Sequence, residues 1–163
     1  MKDLIVTDNA IDLAIEHLEN MEGPELNNLF EKLSKEQPFV MGFVVGVGEG
    51  LENEEAAEDL FYLTMIIWHA IELSKNDSLS TLSEEDLKNL EEKMDGLFNE
   101  VLSFPEESEE EELNNMIGAS TQAALASYLA DEFFSEEYLN LSEDKIAKMF
   151  SCMLVLSEAL AKA

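Results

Sequence analysis

The chain has 163 residues, 46% of them hydrophobic, with only three Pro and seven Gly. This length and composition are enough for one buried core and are unlike those of a disordered tail. A formal charge of -28, from 37 acidic and nine basic residues, repels phosphates and anionic lipid headgroups. We therefore expect no direct nucleic-acid binding and no membrane binding, whereas a basic protein partner is compatible with the charge.

The cysteine content and the short apolar runs of the sequence indicate the cellular compartment. Cys152 is the only cysteine and cannot form a disulfide within the chain, which favours a reducing compartment. The N-terminal apolar run is too short for a secretory signal, and no apolar stretch approaches the roughly 20 residues of a membrane span. We expect a cytoplasmic protein.

The first two predicted helices follow from apolar spacing. The first has one apolar face that ends before Gly23, and Pro24 suits the first turn of the next helix. That face consists of Ile11, Ala14, Ile15, Leu18 and Met21. Spacings of three and four residues are typical of a helix and not of a strand.

The next two segments are more apolar. Residues 37–50 contain many β-branched and aromatic residues, but Pro38 and the flanking helices favour a helix, in which Gly42 and Gly46 would allow close packing of a neighbour. Residues 53–75 are apolar around nearly the whole helical circumference from Leu60 to Leu73. They predict a buried central helix.

Three further helices complete the pattern. Ser83 and Ser142 are expected to cap helices whose apolar stripes extend to about residues 103 and 160, and one long helix is expected over residues 109–134. The prediction is an all-α fold, a single domain over residues 1–163 with six to seven helices.

A weak internal repeat relates the two halves. Gln37 and Gln122 begin similar octapeptides, and each is preceded at a similar distance by Glu-Leu-Asn-Asn. The similarity indicates either two related helical units, over residues 25–75 and 112–163, or a chance resemblance between amphipathic helices.

Chemical motifs are scarce. The glycines around Gly48 fit neither a dinucleotide fingerprint nor a P-loop, and the two histidines do not form the Glu-x-x-His pairs of a di-iron site. His69 is expected to be a hydrogen-bonded packing residue, and Cys152, in an apolar context, to be buried and inert. We expect no catalytic residues, no metal and no cofactor.

Two surfaces are candidates for association. Six glutamates within seven residues form either a solvated loop leading into a helix or a docking strip for a basic partner. They are Glu106, Glu107, Glu109, Glu110, Glu111 and Glu112. The apolar surplus of the central helix favours a twofold homodimer through Phe61, Met65 and Trp68.

The sequence therefore favours a non-catalytic protein-interaction module. The alternative is an acidic antagonist that covers a basic surface, such as a nucleic-acid mimic or an immunity-type inhibitor. An antagonist needs its acids on one face, an enzyme needs a pocket with converging polar groups, and an interaction module needs an exposed apolar patch.

The excess of like charge leads to a first prediction. Ions screen the repulsion among 37 carboxylates within a Debye length of about 10 Å at 0.1 M salt. The melting temperature at neutral pH should therefore rise between low and moderate NaCl concentration. A flat or falling melting temperature, measured by calorimetry, would contradict this.

Overall fold

The computed structural model describes residues 4–75, 79–134 and 140–163. These residues form eight α-helices, with a 3-10 turn before the sixth, and contain no strand. The helices are α1 (Asp8–Glu19), α2 (Gly23–Glu36), α3 (Pro38–Gly50), α4 (Glu54–Lys75), α5 (Glu84–Leu102), α6 (Glu109–Ala119), α7 (Ala123–Phe134) and α8 (Glu143–Lys162), with the 3-10 turn at Glu106–Ser108. The all-α prediction is confirmed. None of the described helices has the length and apolar character needed to cross a membrane.

The predicted number of six to seven helices is wrong because one predicted helix is two. The chain leaves the helical conformation at Ser120, where φ is -69° and ψ is 142°. The Ser120 hydroxyl accepts a hydrogen bond from the backbone N–H of Gln122 at 3.1 Å. A short polar side chain of this kind stabilises a break between helices by bonding nearby backbone, and so separates α6 from α7.

The other helix ends follow the predicted capping. The Ser83 hydroxyl accepts a hydrogen bond from the N–H of Asp86 at 3.1 Å, and the Asp86 carboxylate accepts one from the N–H of Ser83 at 2.8 Å. Ser142 caps α8 through the N–H of Lys145. Residues 38–50 form a helix as expected, since Pro38 occupies a first-turn position that needs no N–H donor.

The centre of the fold is the contact between α4 and α8. Both helices are buried over most of their length; the Thr64 hydroxyl lies 3.8 Å from the Met153 sulfur, and Trp68 and Phe150 are fully buried. Helices α1, α2 and α3 pack on α4, while α5 and α7 pack on α8. Cys152 is in this core, as predicted, and burial raises the pKa of its thiol to about 12.

Two buried glutamines hold the segments that precede α1 and α5. The side-chain amide of Gln37 donates to the carbonyl of Ser80 at 2.9 Å and accepts from the N–H of Leu82 at 2.9 Å. The Gln37 side chain is fully buried, at the corner between α2 and α3. One side chain therefore satisfies two backbone groups of a segment more than 40 residues away.

Gln122 repeats this arrangement at the corner between α6 and α7. Its amide donates to the carbonyl of Leu4 and accepts from the N–H of Val6 at 3.0 Å. In both cases the carbonyl belongs to one residue and the N–H to the second residue after it. The chain has no other glutamine. Both glutamines bond a non-helical segment that leads into a helix.

The second prediction concerns these two side chains. Replacement of Gln37 or Gln122 by Leu keeps the volume but leaves the N–H of Leu82 or Val6 without its acceptor. Each substitution should lower the free energy of unfolding by about 1–3 kcal/mol, the cost of an unsatisfied buried group. Thr81→Ala is the control, because it removes an exposed hydrogen bond from the same segment and should cost less. Urea unfolding measures all three; a loss no greater in the Leu variants than in the control would contradict the prediction.

Candidate functional site

The predicted acidic strip lies at the start of α6. Glu106 and Glu107 are in the 3-10 turn, and the other four glutamates form the first turn of α6. All six are exposed except Glu112, which is partly buried. Carboxylates here interact favourably with the helix dipole, and this contribution needs no partner.

The strip also borders a groove of about 470 Å³ between α6 and α7. The floor of this α6–α7 groove is apolar, formed by Leu113, Ile117, Ala130 and Phe134. Its rim is acidic, formed by Glu106, Glu109, Glu110 and Asp131. The Phe134 ring packs edge-on against Phe150 with centroids 5.1 Å apart, so the floor is continuous with the core. The structure thus combines an apolar groove with a high local density of negative charge.

A second unusual surface is the outer face of α3, made of Phe39, Gly42, Val45 and Gly46. Phe39 is 45% exposed and Val45 is 39% exposed. The prediction that Gly42 and Gly46 pack closely against a neighbouring helix is wrong within this chain, because a Cβ placed on either would meet no atom within 4 Å. Gly48 makes the close approach instead, because a Cβ placed there would lie 3.2 Å from the Ala57 Cβ.

The predicted dimer residues are divided between core and surface. Met65 is 6% exposed and Trp68 is fully buried, so this chain's own helices cover both. Phe61 is half-buried, and its ring lies 6.1 Å from that of Phe30, a residue 40% exposed. Phe61 also lines a shallow groove together with Val45. Of the three, Phe61 alone adjoins exposed apolar surface.

The two histidines meet between α1 and α4. His17 Nδ1 lies 3.0 Å from His69 Nε2, so one ring donates a hydrogen bond to the other. This confirms the expected hydrogen-bonded role of His69. Its Nδ1 atom is buried without a partner. Burial is the main cause that lowers the pKa of His69, and the neighbouring His17 and Lys32 lower it further. These surroundings therefore favour the neutral form of His69.

Next to the histidines, α2 contributes a cation. The Lys32 ammonium is 3.3 Å from the Glu72 carboxylate and 5.3 Å from the Trp68 ring centroid. Burial raises the pKa of Glu72, although Lys32 opposes that rise. Trp68 Nε1 and Glu36 Oε2 are buried and have no hydrogen-bond partner. We assign this cluster to the joining of α1, α2 and α4, because its ion pair and the hydrogen bond between the histidines connect these three helices.

A third cleft, of about 310 Å³, combines carboxylates with phenols between α1, α4 and α7. It is lined by Glu19, Asp59, Glu132, Tyr62 and Tyr128, with apolar neighbours. Burial, with the adjacent Asp59 and Asp131, raises the pKa of Glu132, and burial with nearby Glu132 raises that of Tyr128. No group of three or more side chains in the described part of the chain has the geometry to hold a metal ion.

Comparison with known proteins gives no assignment. No protein-family model matches this chain, and neither a curated protein nor a solved structure matches it significantly.

The lowered pKa of His69 gives a third prediction. In the unfolded state His69 takes up a proton near pH 6.5, whereas in the folded state it does so only at a lower pH. The free energy of unfolding should therefore decrease as the pH falls below 6.5 and level off below the folded pKa. His69→Gln should remove this contribution. The difference in free energy of unfolding between wild type and variant should therefore shrink as the pH falls through that range.

The variant is necessary because the carboxylates also change stability with pH. His17→Gln should weaken the dependence without abolishing it, because burial is the larger cause. Parallel stability curves for wild type and His69→Gln from pH 5 to 7.5 would contradict the prediction.

Proposed function

We propose that this protein is a non-catalytic protein-interaction module that binds a basic amphipathic helix of a partner protein in the α6–α7 groove. The observation that carries the proposal is the position of the acidic strip, which borders an apolar floor instead of lying on plain surface. Apolar anchors in a groove supply affinity, and charges at the rim supply orientation and association rate.

The size and chemistry of the groove support a helix as the ligand. A volume of about 470 Å³ accommodates one or two large side chains, such as those at positions i and i+4 of a helix. Lysine or arginine residues beside those anchors would lie over the carboxylates of Glu106 and Glu109 on one side and Asp131 on the other. A basic partner also reduces the repulsion within a chain of charge -28.

An interaction role also agrees better with the titratable groups than catalysis does. Cys152 is fully buried, and the histidine pair lies at a junction of three helices beside a satisfied ion pair. The phenols beside Glu132 have raised pKa values, which makes them weaker acids. These features favour structural roles for the groups that most often act as nucleophile or base.

We also infer that the domain consists of two related units, α1 to α4 and α5 to α8. The predicted similarity of residues 25–75 and 112–163 is supported by the matched hydrogen bonds of Gln37 and Gln122. In addition, α1 packs on α4 as α5 packs on α8, and α4 and α8 meet at the centre. Each glutamine bonds the segment that leads into the first helix of the other unit.

The fourth prediction tests the groove with a synthetic helix that carries leucines at i and i+4 and lysines on both flanks. Glu109→Gln with Glu110→Gln should weaken binding about fivefold, since two exposed ion pairs contribute roughly 1 kcal/mol together. The control is Glu91→Gln with Glu92→Gln, an equal charge change on exposed positions of α5, and it should change binding less than twofold. Fluorescence anisotropy of the labelled peptide measures both.

Localisation is tested by amide chemical shifts. The peptide should perturb residues of α6 and α7, and the affinity should fall with added salt. Equal effects of both variant pairs, or shifts spread over all acidic helices, would show non-specific attraction and overturn the proposal. In the cell, a photo-crosslinker at Ile117 should capture one defined protein, whereas a crosslinker at exposed Leu13 on α1 should not.

A further inference from the structure

We propose that the outer face of α3 is a self-association surface, through which two copies of this chain form a twofold dimer. This inference does not depend on the α6–α7 groove or its ligand. It moves the dimer contact from the buried Met65 and Trp68 to Phe39, Gly42, Val45 and Gly46, which are exposed.

The first argument is the shape of the face. At about 100° per residue, Phe39 and Val45 each lie about 60° from Gly42, on opposite sides. The face therefore has a recess along Gly42 and Gly46 and a large side chain at each edge. A Cβ at either glycine would meet nothing within 4 Å, so the recess is open. The backbone of a second helix can approach closely only where such small residues lie.

The second argument is charge, which favours a second copy of this chain as the binding partner of this face. The twelve residues from Gln37 to Gly48 contain no charged side chain. A basic partner would gain no electrostatic attraction from this stretch, in contrast to the acidic rim of the α6–α7 groove. Two chains of charge -28 can meet only where the contact is uncharged and the carboxylates lie outside it. The first carboxylate on this face is Glu49, which is exposed and lies about 10 Å along the helix from Gly42. A second copy presents the same face, and in a twofold contact centred on Gly42 both copies of Glu49 lie at its edge.

The third argument is the extent of the surface. Two crossed helices alone bury less than the roughly 1,200 Å² of a stable interface. The surface continues from Val45 to Phe61 on α4 along a groove that Glu49, Glu52 and Glu54 also line. The Phe61 ring in turn lies beside that of Phe30 on α2. With these additions we expect a reversible dimer with a dissociation constant on the order of micromolar.

Salt dependence separates this contact from the proposed binding of a basic helix. Screening reduces repulsion between two acidic copies, so added NaCl should strengthen the dimer. The same addition should weaken binding of a basic peptide. The two proposals can therefore fail independently, since loss of peptide binding says nothing about dimer mass.

The test is sedimentation equilibrium at 5–200 µM protein in 0.3 M NaCl, the fifth prediction. Wild type should approach twice the mass of one chain, and Gly42→Gln and Gly46→Gln should each reduce the association at least tenfold by filling the recess. Neither variant should unfold the chain, since both glycines are exposed and an added Cβ meets no atom within 4 Å, and since Gln is a better helix former than Gly. Gly96→Gln on α5 is the matched control, because Gly96 is also an exposed helical glycine without close neighbours.

The expected pattern is dimeric wild type and Gly96→Gln, and monomeric Gly42→Gln and Gly46→Gln, with melting temperatures at or above that of wild type. A monomeric wild type across the concentration range would overturn the proposal. A dimer that survives Gly42→Gln and Gly46→Gln would also overturn it, because the contact would then lie elsewhere on the chain.

Discussion

The packing of α4 against α8 is the constraint on which the rest of the fold depends. Both helices are apolar on most sides, so neither is stable in water until other helices surround it. The surrounding helices supply that cover and carry most of the carboxylates outward. A chain of charge -28 must offset considerable self-repulsion, and burial of apolar side chains is the main favourable contribution to folding.

The large negative charge is distributed differently on the two candidate binding surfaces. Around the α6–α7 groove, carboxylates are concentrated beside apolar side chains, an arrangement that favours a ligand of opposite charge. From Gln37 to Gly48 the chain has no charged side chain, an arrangement that favours contact with a second copy of this chain. If both proposals hold, the two surfaces respond to ionic strength in opposite directions, because one contact gains from charge and the other requires its absence.

Much of the fold was predictable because helical periodicity is a local signal. The capping serines, Ser83 and Ser142, and the apolar α4 were evident from neighbouring residues. The break at Ser120 was missed although the sequence contains signals for it: Gly118 favours a helix end, and Ser120 and Thr121 are residue types that favour a helix start. The partners of His69 and the two glutamines were not predictable, since each lies 43 or more residues away. The alignment of Gln37 with Gln122 in the weak repeat was the one available signal.

The surfaces were harder to predict than the core. Periodicity indicates that a residue such as Trp68 faces apolar neighbours, but it does not tell whether these belong to the same chain. The glycines of α3 illustrate the converse, because spacing alone suggested a neighbour that the chain does not supply. The acidic run was visible in the sequence, whereas its apolar groove depends on how α7 packs beside α6.

The bond between Gln122 and the segment at Leu4 to Val6 also constrains the order of events during synthesis. The two partners are 116 residues apart, so the N–H of Val6 lacks its native acceptor until most of the chain has left the ribosome. The bond from Gln37 to Leu82 spans only 45 residues and can form much earlier. The position of the N-terminal segment is therefore fixed late, and premature termination before residue 122 would leave the start of α1 unanchored.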